Sequence, residues 1–293
     1  GTPIQNICCA ENDAAEKQNV YDDRGRRPHL FAEESVVAQP WNGGGKADGA
    51  PLPTAQEVGL KEKPEMEVED GARYKGQWRG DRRHGQGVLL RADGQRYEGS
   101  FRDSLAHGRG MFRAVNGNVY EGQWVEDRAH GFGKFTKPDG STYEGEWCQD
   151  VKSGKGVETW VNGATYTGEF SSGQKHGLGV YVSGSGARFE GQFRRDKMDG
   201  TGQYWFPDGR VYDGNWRAGH MSGMGTMVWP NGSKYEGEYV SGLKSGEGTF
   251  TWSGGMAYRG QWRNGKQDGR GVFIDPGGVE HVGMWHNGER TIT

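Results

Sequence analysis

From Ala72 onward the chain alternates apolar and polar positions in short bursts. Tyr143, Gly145 and Trp147 fall at i, i+2 and i+4, with Glu144 and Glu146 between them. That spacing puts the first three on one face of a β-strand and the acids on the other. A second burst, such as Gly177-Leu178-Gly179-Val180-Tyr181-Val182, predicts a second strand. The six residues between the bursts, for example Cys148 to Ser153, read as a loop. The second strand ends in a turn with nameable chemistry: Pro138-Asp139-Gly140, Pro207-Asp208-Gly209, Pro230-Asn231-Gly232 and Pro276-Gly277-Gly278 share one position. Proline presets φ at the first turn position, and glycine takes the left-handed one. Each unit therefore predicts a β-hairpin.

The unit repeats. The string Tyr-x-Gly-x-aromatic starts at Tyr74, Tyr97, Tyr120, Tyr143, Tyr166, Phe189, Tyr212, Tyr235 and Tyr258, always 23 residues apart. A worn tenth copy starts at His281, with Gly283 and Trp285. A Gly-x-Gly pair follows at the same interval, from Gly85/Gly87 to Gly269/Gly271. A lone hairpin is unstable in water, so the units must stack on their neighbours. With strands about 4.8 Å apart, ten units predict a rod on the order of 90 Å long. The expected fold is all-β, an elongated single-layer antiparallel β-hairpin solenoid of ten units over residues 71–293.

Composition is unusual in two respects. Val, Leu, Ile and Phe make up only about 15% of the chain, under the roughly 20% at which disorder is suspected, while glycine reaches 54 residues. The glycines are placed, however, and 11 Trp, 12 Tyr and 11 Phe supply burial that aliphatic residues do not. Residues 1–70 do differ. They hold six of the ten prolines and 14 acidic against 7 basic residues, with few apolar side chains, and predict a disordered acidic arm. Its tip, Gly1 with Cys8 and Cys9 nearby, fits dual acylation by myristate and palmitate, although Gln5 stands where Ser or Thr is preferred. The competing expectation is a floppy tail with incidental cysteines. A formal charge of -3 leaves no nucleic-acid footprint, no run of 18 apolar residues occurs, and three cysteines make no disulfide framework. A cytoplasmic chain, membrane-associated or cytoskeletal, is the expected setting.

Tyr-Glu-Gly-x-Trp, six residues, Gly-x-Gly and Asp-Gly, as in Tyr120 to Gly140, resembles the MORN (membrane occupation and recognition nexus) repeat. That resemblance implies curved antiparallel sheets with an aromatic-lined groove, and scaffolds at membranes and cytoskeletal structures, often dimeric. The acidic second position is replaced at Lys75, Thr167, Arg259 and Val282, which interrupts any acidic ladder.

Catalytic chemistry finds little footing. Gly-x-Gly recurs nine times without a Gly-Lys-Ser/Thr string or a following helix, so it reads as close backbone approach rather than a phosphate cradle. His84, His107, His130 and His176 share one position. Successive ones are expected about 10 Å apart, too far for zinc ligands at about 2 Å. No enzyme, metal or cofactor is expected. Binding is better supported. Three residues before the turn glycine the chain reads Arg91, Ala114, Lys137, Trp160, Ser183, Phe206, Trp229, Trp252 and Asp275. The large aromatics Trp160, Phe206, Trp229 and Trp252 form a partial stripe, expected to hold a partner helix or extended peptide, or a second copy of the chain. The column Leu89, Phe112, Phe135, Glu158, Tyr181, Tyr204, Met227, Phe250, Phe273 is expected on the opposite strand face. A rival expectation is lipid head-group binding by Arg79, Arg82, Arg83, Arg194, Arg195 and Lys197. The function expected is a non-catalytic scaffold or adaptor tethering a protein partner to a membrane or cytoskeletal structure. The alternatives are a soluble subunit of a large ciliary or axonemal assembly and a lipid-binding regulatory module for a separate enzyme.

Overall fold

A computed structural model describes residues 59–291; Gly1, Cys8 and Cys9 lie outside the described residues. Among the described residues the fold is all-β, with twenty-one antiparallel strands and a single three-residue 3-10 turn at Glu69–Gly71. Two compact units divide the described residues: 59–161 with 170–173, and 162–169 with 174–291. Within each, hairpins stack in sequence order, and from Arg73 to Ile274 every seven-residue strand is followed by one of nine.

The hairpins are tighter than the sequence suggests. Thr142–Cys148 and Val151–Thr159 leave only Gln149 and Asp150 between them, and Cys148 pairs with Val151. Both linking residues are left-handed, with φ of 49° and 69°. Such a two-residue turn matches the natural strand twist, so the six-residue loop expected from the sequence is mostly strand. The proline–glycine turn at the other end behaves as expected. In Lys137 to Ser141, the Gly140 N–H donates to the Lys137 carbonyl at 3.0 Å, and the Ser141 N–H donates to Asp139 Oδ1 at 2.8 Å.

The ladder also begins earlier than expected. Lys61–Glu67, placed by the sequence in the disordered arm of residues 1–70, is a strand paired to Arg73–Arg79. Its register slips between Lys63 and Met66, around Pro64, which has no N–H to give to a ladder and is tolerated on an edge strand.

The core is a single layer of rings lying on glycine. Tyr120 is fully buried and Trp124 is 2% exposed. Gly122 pairs with Gly133 across the strands, and the Tyr120 ring lies over that pair. A Cβ on Gly122 would meet the Gly133 Cα at 2.5 Å, and one on Gly133 would meet Tyr120 Cζ at 2.6 Å. Tyr120 Oη donates to the Gln123 carbonyl at 3.0 Å, and Trp124 Nε1 donates to the Gly110 carbonyl at 3.0 Å. Edge-to-face contacts run through the stack: Tyr120 meets Trp124 at 5.1 Å and Trp147 at 5.2 Å, the arrangement ring quadrupoles favour. The first glycine of each pair has a separate job. Gly131, at φ 66°, sits in a β-bulge where the register slips between Gly122 and Trp124. The Phe132 N–H beside it donates to Gln123 Oε1 at 2.7 Å. The polar residue before the tryptophan therefore closes the bulge.

Candidate functional site

The face that carries the rings also carries the stripe. In the unit containing residues 174–291, Trp252 follows the strand Leu243–Thr251 and lies two residues past Phe250. Its ring centre is 4.7 Å from Phe250 and 6.4 Å from Phe273; Trp229 is 5.3 Å from Phe250. The stripe and the column beside it are therefore in ring contact on one face, which corrects the expectation of opposite faces. The physical reason is the period of a strand: residues i and i+2 return to the same side.

The four predicted contact residues do not behave alike. Trp229 and Trp252 are half-buried. Phe206 is only 8% exposed, packed on Tyr204 at 4.5 Å and covered by the Arg210 guanidinium at 4.5 Å; it belongs to the core more than to a contact surface. Trp160 is half-buried and belongs to the other unit. The usable patch within the 174–291 unit is thus Trp229, Phe250, Trp252 and Phe273.

A residue missed in the sequence lies against this patch, partly exposed. Lys244 pairs with Tyr239 across the hairpin, and its Nζ lies 4.4 Å from the Trp262 ring centre, 4.7 Å from Phe250, 5.3 Å from Tyr235 and 5.8 Å from Trp229. Burial among these rings pulls its ammonium down from the ordinary lysine range to about 8. Burial also holds the Tyr235 and Tyr239 phenols well above the usual tyrosine range. The signal was available in the sequence, since Lys152, Lys175 and Lys244 occupy one repeat position.

The basic residues expected in loops lie at strand ends and are less available than their number implies. Arg79 bonds Asp103 at 2.7 Å, Arg82 lies 3.7 Å from the same carboxylate, Arg83 reaches Glu69 at 3.0 Å and Arg194 reaches Asp199 at 3.3 Å. Exposed pairs of this kind add little stability, but they neutralise charge that anionic lipid would need. The histidine column is similarly occupied: His84 Nδ1 accepts the Asp103 N–H at 3.3 Å. Among the described residues no group of three or more His, Cys, Asp or Glu could hold a metal ion, and no helix is long and apolar enough to cross a membrane.

Comparison with known proteins gives one firm match. The family model of the MORN repeat matches nine consecutive stretches: residues 74–96, 97–119, 120–142, 143–165, 166–188, 189–209, 212–234, 235–257 and 258–279. The worn tenth copy is not matched, although Trp285 is buried in the same slot as its counterparts. No curated protein matches the chain. Among solved structures, the TCP10 domain of Danio rerio CPAP in complex with a peptide of Danio rerio STIL is similar at 13% identity and TM-score 0.36. That match covers 75% of this chain and 98% of that one. The SAS-4 (dCPAP) TCP domain of Drosophila melanogaster, in complex with a proline-rich motif of Ana2, is similar at 11% identity and TM-score 0.23. It covers 80% of this chain and 96% of that one. Likenesses this weak transfer neither fold nor function.

Proposed function

Because this chain belongs to the MORN-repeat family, we propose that it is a non-catalytic scaffold whose ring face holds a protein partner, and that it tethers that partner to a membrane or cytoskeletal structure. One observation carries the reading. Trp229 and Trp252 join Phe250 and Phe273 in a connected, half-buried aromatic patch, and these two tryptophans stand at the position that other repeats fill with Arg91, Lys137, Ser183 or Asp275. The ladder does not need an aromatic there, so its presence points outward. Rigid rings with few torsions make inexpensive contact area, and a partly covered apolar strip along stacked strands suits a partner helix or an extended segment. The paired arginines beside the hairpin turns favour a protein over a lipid surface.

Changing Trp229 and Trp252 together to serine is expected to leave the circular-dichroism spectrum of the full chain unchanged. Affinity for an associating protein should fall at least about tenfold, the loss of one strong anchor. Unchanged affinity, measured with purified components, contradicts the reading. Disappearance of a chain dimer in sedimentation would instead assign the patch to self-association.

A further inference from the structure

The lysine column is informative because two of its members are neutralised and one is not. Lys152 is paired with Glu158, and Lys175 lies 3.6 Å from Asp196. Carried forward by whole repeats, the Glu158 position becomes Phe250 and the Asp196 position becomes Gly265. Both carboxylates that could pair with Lys244 are therefore replaced by uncharged residues. What remains is an ammonium among four rings. The Gly265 N–H donates to the Lys244 carbonyl at 2.9 Å, so the backbone is satisfied and only the side chain lacks an anion.

The neighbouring elements offer none. Strand Lys234–Val240 turns Tyr235 and Tyr239 toward this face, strand Ala257–Arg263 turns Tyr258 and Trp262, and strand His220–Val228 turns Met221 and Met227. From Lys266–Ile274 comes Gln267, paired with Trp262. Glu236, Glu238, Glu247, Arg259 and Arg263 are exposed on the other side of the sheet, and Asp268 is held by Arg263 at 3.2 Å. Lysine is rarely buried without a partner, and cation–ring attraction only partly offsets lost hydration.

We propose that Lys244 anchors a carboxylate: an aspartate or glutamate of the partner segment, flanked by apolar residues, seats on its ammonium beside Trp229 and Trp252. This rests on the partner-binding reading above and names the partner's chemistry. Phosphorylated motifs are read by clustered arginines or stacked backbone N–H groups, and this face presents one cation among rings. A single carboxylate within an apolar sequence is the complement of that arrangement.

The test is a selection of displayed random peptides on the full chain and on Lys244→Met. Methionine already occupies this column at Met198 and Met221, both buried, so the variant keeps a natural repeat packing. It should melt no lower than the parent at pH 7. The parent pool is expected to be rich in acidic residues with apolar neighbours, and that enrichment is expected to vanish on Lys244→Met. A synthetic selected peptide should bind Lys244→Met at least about tenfold more weakly at pH 7, the loss of one charge-assisted contact. Its glutamine analogue should bind both chains alike. Binding should also weaken as pH rises through about 8, where Lys244 loses its proton; the facing tyrosines ionise well above that. Peptides that compete at Trp229 and Trp252 without acidic enrichment overturn the carboxylate proposal and leave the partner surface standing. A parent chain that selects nothing sensitive to the Trp229/Trp252 change overturns the surface itself.

Discussion

Replacing Gly133 with alanine is expected to destabilise the unit by about 3 kcal/mol or more, at the upper end of what overpacking costs. The added Cβ would lie 2.6 Å from Cζ and 2.8 Å from Cε2 of Tyr120, well inside van der Waals contact. The ring has no alternative place, because Trp124 and Trp147 flank it at 5.1 and 5.2 Å and its hydroxyl is bonded to the Gln123 carbonyl. Displacing it would uncover the tyrosine and strain two hairpins at once. Two control glycines separate this from general loss of flexibility. Gly140 has φ 90° with nothing within 4 Å of its would-be Cβ, so alanine there should cost only about 1 kcal/mol, the price of the backbone conformation. Gly254 has open space and no left-handed φ, and its alanine should stay within about 0.5 kcal/mol of the parent. Denaturant midpoints at unchanged slope measure all three. A Gly133→Ala variant as mild as Gly254→Ala would mean that the rings do not rest on the glycine pair.

Tyr235→Ala should be at least as damaging, losing about 3–5 kcal/mol as buried aromatic truncations do. Tyr235 has no exposed surface and meets Tyr239 at 5.3 Å and Trp262 at 5.1 Å, both edge-to-face. Removing it opens a void between two repeats and strips one of the rings around Lys244. Tyr235→Phe should lose only about 1 kcal/mol, the net worth of the hydroxyl bond to the Glu238 carbonyl at 3.1 Å. The molecule contains its own precedent. Phe189 occupies the same slot, fully buried, 5.1 Å from Phe193 and 5.3 Å from Trp216. Thermal melts of the two variants check the contrast. Equal losses would shift the weight from the ring to its hydroxyl.

The hairpin ladder is legible in the sequence because each unit must solve the same steric problem. A tyrosine ring over two glycines admits no side chain at either, so Gly122 and Gly133 recur at every repeat with little freedom to drift. The tight turn was harder to read. Gln149 and Asp150 take left-handed φ without being glycine, and glutamine there carries no recognisable turn signal. Strand Lys61–Glu67 was hidden by its charges, since an edge strand needs only backbone partners and its side chains remain largely exposed. In the candidate site, Trp229 and Trp252 were visible as aromatics the framework does not require. Their contact with Phe250 was missed by placing residues two apart on opposite faces. Phe206 looked equivalent to them, but Tyr204 and Arg210 cover it, and covering by neighbours is not written in a repeat position. Lys244 was overlooked for a different reason: its significance lies in what is absent around it, which appears only when the carboxylate positions of other repeats are aligned with Phe250 and Gly265.

A protein partner is expected on the ring face near Trp229 and Trp252. Photo-crosslinking in cells would trap it there, with a benzophenone amino acid placed in the full chain at Trp252 and, separately, at exposed Arg259 on the other face. Position 252 should yield a crosslinked protein partner, competed by an acidic apolar peptide, and position 259 none. Crosslinks from position 259 alone would contradict it.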